Sequence, residues 1–214
     1  MAGVVLAGGL SRRMGMEKAL LPLGGKPFLA HVVERIRPQV AALILNANGD
    51  VARFAGFGLP VVADALPGNL GPLAGVLAGL DWARRERPST THVASVACDV
   101  PFLPDDLVRR LVDAIAAGEG DIAVAASGGR THPVFALWPV ALRVDLRRAL
   151  EDEGVRKVDA FTARHDTATV DFAATPFDPF LNINGPEDLS RAEGLLALAA
   201  SRRDNRMGAS EGKN

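Results

Sequence analysis

The chemistry this chain of 214 residues could perform sits at the ends of short apolar runs. The segment Leu6-Ala7-Gly8-Gly9-Leu10-Ser11-Arg12-Arg13-Met14-Gly15-Met16-Glu17-Lys18 follows one such run directly. Its glycines permit positive φ and let the backbone approach a bulky anion closely. Successive backbone N–H groups in such a turn form an anion-binding concavity. Arg12, Arg13 and Lys18 add three cations to the same loop. A triphosphate suits that density of donors. The string is neither a Walker A loop nor G-x-G-x-x-G. The competing reading is a glycine-rich turn with solvated arginines.

Other strand ends carry carboxylates and amides. Asp99 closes the apolar run His92 to Cys98, where ligands gather in open α/β sheets. Mg²⁺ takes one or two carboxylates plus phosphate oxygens, so Asp99 is a candidate metal ligand; a turn aspartate is the alternative. Asp64, with the loop Pro67 to Gly71, could read a base edge or a sugar hydroxyl, or could simply form a turn. In Asn46-Ala47-Asn48-Gly49-Asp50, the Asn-Gly pair signals a turn, which makes Asn48 and Asp50 structural and Asn46 the contact. Thr131-His132-Pro133 leads into a strand, and its histidine is read as structural rather than ligand-binding. Asn182 and Asn184 alternate onto one face of an extended segment, where two amides suit a polar ring system; an ordinary capped helix entry is the alternative. Cys98 is read as core filling rather than a nucleophile, and Trp82 and Trp138 as packing.

These positions need elements to hold them. Gly3 to Ala7, Ala41 to Leu45, Pro60 to Ala63, His92 to Cys98, Ile122 to Ala125 and Pro133 to Leu137 read as strands. Helices are expected over about 27–37 and 73–85, from Pro104 onward, and over 145–150 and 186–200. Strands alternating with helices predict an α/β fold with a mostly parallel, mixed central sheet in three layers. The small residues Ala74, Gly75, Ala78 and Gly79 suit close packing of their helix. One domain over 1–200 is expected, followed by a flexible tail over 201–214.

Composition narrows the partners. Twenty-four Lys and Arg against 25 Asp and Glu give a net charge of −1, which argues against nucleic acid as the main ligand. The single cysteine excludes an internal disulfide and a cysteine-only zinc site. No apolar run reaches the length of a membrane span, and no basic region precedes the first apolar stretch. The expectation is a cytoplasmic protein that binds neither membrane nor nucleic acid.

Taken together, Leu6–Lys18, Gly71–Leu80, Cys98–Leu103, Thr131–Leu137 and Asn182–Leu189 resemble the molybdenum cofactor guanylyltransferases, over Gly3 to about Leu198. The first motif is shared with many nucleotidyltransferases; the His-Pro strand and the Asn-x-Asn ending are more specific. The resemblance implies a Rossmann-like nucleotidyltransferase domain that transfers GMP from GTP to molybdopterin with release of pyrophosphate and with Mg²⁺ as cofactor. By the same resemblance, Leu6, Ala7, Gly8, Gly9 and Gly71 contact the nucleotide. Lys18 holds its phosphates, Asn46 and Asp64 read guanosine, and Asp99 binds both nucleotide and metal. Arg12, Lys18 and Asp99 form the catalytic set, and Asn182 and Asn184 face the pterin. One departure is Gly185, where the family more often has threonine. The implied partners are GTP, molybdopterin, molybdoenzyme chaperones and other cofactor-biosynthesis proteins, with the chain a monomer. The alternatives are a cytidylyltransferase using CTP on the same pterin, disfavoured by Gly8 and the asparagine pair, and a non-catalytic GTP-binding module.

Overall fold

The computed structural model describes residues 1–8, 18–68, 70–185 and 187–197. Gly9, Arg12 and the remainder of 9–17, together with Asn69, Pro186 and 198–214, where the expected tail falls, lie outside the described residues.

Strand β1 (Ala2–Leu6) is buried along its whole length. Its side chains alternate between two hydrophobic layers: Val5 joins one, while Ala2, Val4 and Leu6 join the other. A strand covered on both faces reads as a continuous apolar run, which is why β1 is plain in the sequence. A two-residue hairpin (β2, Pro22–Leu23; β3, Lys26–Pro27) leads to helix α1 (Phe28–Ile36). Then come β4 (Ala42–Asn46), β5 (Val61–Val62), α2 (Pro72–Glu86), β6 (His92–Ala97) and α3 (Leu107–Ala116). The chain continues through β7 (Ile122–Ser127), β8 (Arg130–Pro139), α4 (Arg143–Glu151), α5 (Val158–Thr162) and β9 (Thr167–Phe172). Residues 187–197 are helical.

The main sheet has seven strands in the order β5-β4-β1-β6-β8-β7-β9. All run parallel except β8, which is antiparallel to both β6 and β7. The reversal follows from the turn Gly128-Gly129, with φ of 55° and 76°. Two consecutive positive φ values make the two-residue hairpin turn whose twist matches the flanking strands. The β7–β8 register shifts after Val124, and Pro133, which has no ladder N–H to give, falls in that irregular stretch.

Helices α1 and α3 cover one face of the sheet, with Leu29, Val32, Ile36, Leu107 and Leu111 in one core. Helices α2, α4 and α5 cover the other, through Leu73, Leu77, Leu80, Leu146 and Phe161. Helix α2 lies very close to β1: a Cβ at Gly79 would stand 3.0 Å from Val4 Cγ1. The expected small-residue packing is therefore present. Helix α3 starts three residues after Pro104, and its first turn is capped from elsewhere, since Val108 N–H donates to Gln39 Oε1 at 2.9 Å.

The fold adds β2, β3, α5 and β9 to the elements expected from sequence. β9 is one of the two edge strands, and its buried residues alternate with half-buried or exposed ones, a half-buried pattern rather than an apolar run. The chain order moves from β1 to β4 and β5, then crosses β1 to β6. Such a switch opens a crevice at the carboxyl ends of the strands on either side. No helix among the described residues is long and apolar enough to cross a membrane.

Candidate active site

The carboxyl ends of β1, β4, β5 and β6 bring the sequence-predicted residues into two neighbouring groups. The ladder places them: Ala7 N–H donates to Asn46 O at 2.9 Å, and Cys98 N–H donates to Leu6 O at 3.1 Å. Gly8 therefore emerges between Asn46 and Asp99. The Ala7 N–H is committed to the sheet.

The first group surrounds Lys18, which opens a short 3₁₀ turn (Lys18–Leu20) anchored by buried Ala19. Its ammonium lies 2.5 Å from Asp99 Oδ2, 2.9 Å from Asn182 Oδ1 and 2.7 Å from Asn184 Oδ1. An ammonium has three donors, and all three find oxygen. The Lys18 and Asp99 side chains are each 16% exposed, so the pair interacts through a medium less screening than bulk water. Asn182 and Asn184 sit on one face of an extended segment, as expected, because Ile183 between them is buried beside Leu23, Phe28 and Phe102. Ile183 N–H also donates to Asp99 O at 3.3 Å. The amides thus flank a residue anchored both to the core and to the backbone of Asp99. Although Gly185 supplies no hydroxyl cap, Asp188 Oδ2 accepts from Asn184 N–H at 2.9 Å and secures the helix entry.

Three neutral or anionic oxygens converging on one cation form a hard-oxygen donor set that fits Mg²⁺ or Mn²⁺ in chemistry. No cluster of three or more His, Cys, Asp or Glu among the described residues could hold a metal by itself. Asp99, the one carboxylate of the set, would hold such an ion with the help of neutral oxygens, those of Asn182 and Asn184 or those brought by a ligand.

The second group centres on Asp64. Its Oδ1 accepts from Asn46 Nδ2 at 2.9 Å, and its Oδ2 accepts from Asn48 Nδ2 at 2.8 Å. Asp64 N–H donates in turn to Asn48 Oδ1 at 2.9 Å. Asn48 is therefore no mere turn former: its side chain grips both the backbone and the carboxylate of Asp64. Arg53 fixes the loop beneath, donating to Asn48 O at 2.7 Å and Asp50 O at 2.6 Å. Asp50 is structural, as expected, accepting from Ala52 N–H at the start of the following 3₁₀ helix. The signal for Asn48 lay in the Asn46-x-Asn48 spacing, masked by the adjacent glycine.

Two glycines of the following helix matter here, one for the backbone turn that starts it and one for the room it leaves to Asn46. Gly71, at the start of α2 with φ of 76°, has a backbone conformation that side chains rarely adopt. At Gly75 a Cβ would lie 2.3 Å from Asn46 Oδ1 and 2.7 Å from Leu6 Cδ2. Asn46 is only 2% exposed and cannot swing out freely. Gly75→Ala is therefore expected to lose about 1–3 kcal/mol of stability and to displace Asn46 from Asp64. Thermal unfolding together with nucleotide titration checks both effects.

The His132 ring is stacked on Phe180 with ring centroids 4.7 Å apart. Burial holds its imidazole below the ordinary histidine range, with Asp178 opposing the shift and Arg130 adding to it. Cys98 is buried. Trp138 is fully buried and donates to Ser95 Oγ at 2.8 Å, and Trp82 is also buried; both are packing residues, as read from sequence.

Residues 3–168 match the family model described as MobA-like NTP transferase domain. The chain is 56% identical over 197 residues to the molybdenum cofactor guanylyltransferase of Bradyrhizobium sp. (strain ORS 278), covering 92% of this chain and 93% of that protein. It is 57% identical over 200 residues to the protein of the same name from Rhodopseudomonas palustris (strain BisB5), covering 93% and 95%. Among solved structures, that of molybdopterin-guanine dinucleotide biosynthesis protein A from Archaeoglobus fulgidus superposes with a TM-score of 0.71 at 25% identity, over 92% of this chain and 99% of that one.

Proposed function

The chain belongs to the MobA-like NTP transferases, among the molybdenum cofactor guanylyltransferases, and we propose that it transfers GMP from GTP to molybdopterin. The observation that carries this reading is the pairing of two prepared groups at adjacent strand ends. One is a carboxylate held by two amides; the other is a cation held by a carboxylate and two amides.

Asp64 serves the base. Both its oxygens are oriented by Asn46 and Asn48, and each retains lone-pair capacity for a further donor. Guanine presents adjacent N1–H and N2–H₂ donors, which a fixed carboxylate accepts together. Cytosine presents one exocyclic amine beside two acceptors, a poorer match to an acceptor-only group. Asn48→Ala leaves Asp64 at its place in the chain but unclamped. The preference for GTP over ITP, which lacks the 2-amino group, is expected to fall by about tenfold, the effect of one charge-assisted hydrogen bond. Competition binding of the two nucleotides to the variant checks this.

Lys18 and Asp99 serve the phosphates. Gly8 and the residues after it offer backbone donors to the triphosphate, with Gly9, Gly71 and Arg12 assigned to the same task. Lys18 leaves part of its present oxygen shell to hold phosphate oxygens, and Asp99 then has a free carboxylate oxygen for a divalent ion. Asn182 and Asn184 face the pterin side and hold the acceptor in line. Asp99 is the residue that would hold a divalent ion beside the phosphates, and such an ion, when bound, would supply neutralisation of charge on the transferred and leaving groups. The phosphate oxygen of molybdopterin attacks the α-phosphorus of GTP. A new P–O bond forms, the bond from the α-phosphorus to the bridging oxygen of the β-phosphate breaks, and pyrophosphate leaves with that electron pair. The protein supplies alignment and positive charge and needs no nucleophile of its own. The test is pyrophosphate release with GTP and molybdopterin present together, and none with either alone.

A further inference from the structure

One polar constellation lies outside both groups. Ser127, at the end of β7, donates its hydroxyl proton to Asp178 Oδ1 at 2.7 Å, and its oxygen lies 2.8 Å from His132 Nε2. Ser127 is 1% exposed. The membership invites comparison with a hydrolytic triad, but the proton order excludes one. An ionised carboxylate only accepts, so the serine proton points at Asp178. The serine lone pair then accepts from His132 Nε2–H, which makes the histidine a donor rather than a base. A serine held this way is not an activated nucleophile.

The constellation ends instead on the segment that carries the site asparagines. Asp178 Oδ1 also accepts from Phe180 N–H at 2.9 Å. The Phe180 ring is wedged among His132, Phe135 and Phe172, with centroids 4.7, 5.0 and 5.5 Å away. Three residues further on, Ile183 is pinned to Asp99. Asn182 lies between those two anchors and Asn184 just past the second, and both point to Lys18. The β7–β8 hairpin is the support to which this stretch is fastened.

We propose that His132, Ser127 and Asp178 are positioning residues for transfer, a relay from the β7–β8 hairpin that sets residues 178–184 so that Asn182 and Asn184 meet the acceptor substrate. The proposal rests on the reading of the acceptor side given above. It separates the two substrates: the relay acts on the Asn182–Asn184 side and leaves the Asn46–Asn48–Asp64 group untouched. The desolvation that disfavours a charged His132 agrees with a neutral histidine donating through Nε2.

The test combines hydrogen exchange with steady-state kinetics on the full chain. In Ser127→Ala, the amides of Phe180 and Ile183 are expected to exchange about tenfold faster, and KM for molybdopterin to rise about tenfold, the scale of one lost hydrogen bond to a charged group. KM for GTP is expected to stay within about twofold of wild type. His132→Gln, which retains an N–H donor for Ser127, is expected to recover most of the exchange protection that His132→Leu loses. Unchanged exchange and unchanged KM in Ser127→Ala overturn the proposal. Faster exchange with unaltered acceptor kinetics overturns it too, because the fastening would then not serve the site. Should wild type transfer no nucleotide to molybdopterin, the preceding functional reading fails, while the exchange data still decide whether the relay holds residues 178–184.

Discussion

Asp99→Asn is expected to reduce GMP transfer by about 10²–10³-fold, the range seen when one preorganised electrostatic contact to a transition state is removed. The substitution is nearly isosteric and keeps an oxygen toward Lys18, so the three-oxygen shell of the ammonium survives in outline. What it removes is the negative charge. In the resting protein that charge offsets Lys18 at 2.5 Å; in the proposed reaction it holds a divalent ion against the phosphates. Guanine recognition depends on Asn46, Asn48 and Asp64 at the ends of β4 and β5, so GTP binding in the absence of metal should change little. Circular dichroism and thermal unfolding verify the fold, and single-turnover assays measure the loss. An Asp99→Asn protein with wild-type turnover would mean that the carboxylate has no part in the reaction.

Lys18→Ala carries the second large effect, and it differs in kind. Transfer is again expected to fall by about 10²-fold or more, because the triphosphate loses its principal side-chain cation. Metal binding is expected to move in the opposite direction. In the resting protein the ammonium occupies the point where Asp99, Asn182 and Asn184 converge, and a divalent ion must compete with it there. Removing the ammonium exposes an uncompensated, largely buried carboxylate. Mn²⁺ should then bind the nucleotide-free variant at least about tenfold more tightly than wild type, a gain of about 1.4 kcal/mol. Electron paramagnetic resonance titration of free Mn²⁺ reads this directly. Weaker Mn²⁺ binding in Lys18→Ala would show that the three oxygens do not constitute a cation site.

The parts of this fold that were legible in the sequence are those where burial is one-dimensional. Strands β1, β4 and β6 are covered on both faces and appear as mainly apolar runs that lead to Gly8, Asn46 and Asp99. Those ends mark the crevice in which the candidate site lies. The close packing of helix α2 was legible in its small residues, and Gly75 and Gly79 do leave room there for Asn46, Leu6 and Val4. Edge strand β9 was not, since Thr167, Thr169 and Asp171 dilute its apolar residues. The direction of β8 was written in Gly128-Gly129, a turn signal that apolar periodicity does not weigh.

What the sequence could not provide is who meets whom across long separations. Lys18 and Asn184 are 166 residues apart, and Asn48 and Asp64 are 16 apart, yet each pair shares a hydrogen bond. Asn48 looked like a turn residue because Asn-Gly is a turn signal by local chemistry, and the chain does bend at Gly49; only the position of β5 beside β4 reveals the role of the Asn48 side chain. Ser127 and Asp178 carried no local signal at all. Their contact depends on the return of the chain after β9 to the end of β7.

The most direct measurement is a reaction of the purified protein with molybdopterin, a divalent ion and one nucleotide at a time, following both pyrophosphate and dinucleotide product. With GTP, one pyrophosphate is expected per molybdopterin guanine dinucleotide formed, and CTP should give neither at a comparable rate. Turnover with CTP but not GTP, or tight GTP binding with no pyrophosphate released, would contradict guanylyl transfer at this site.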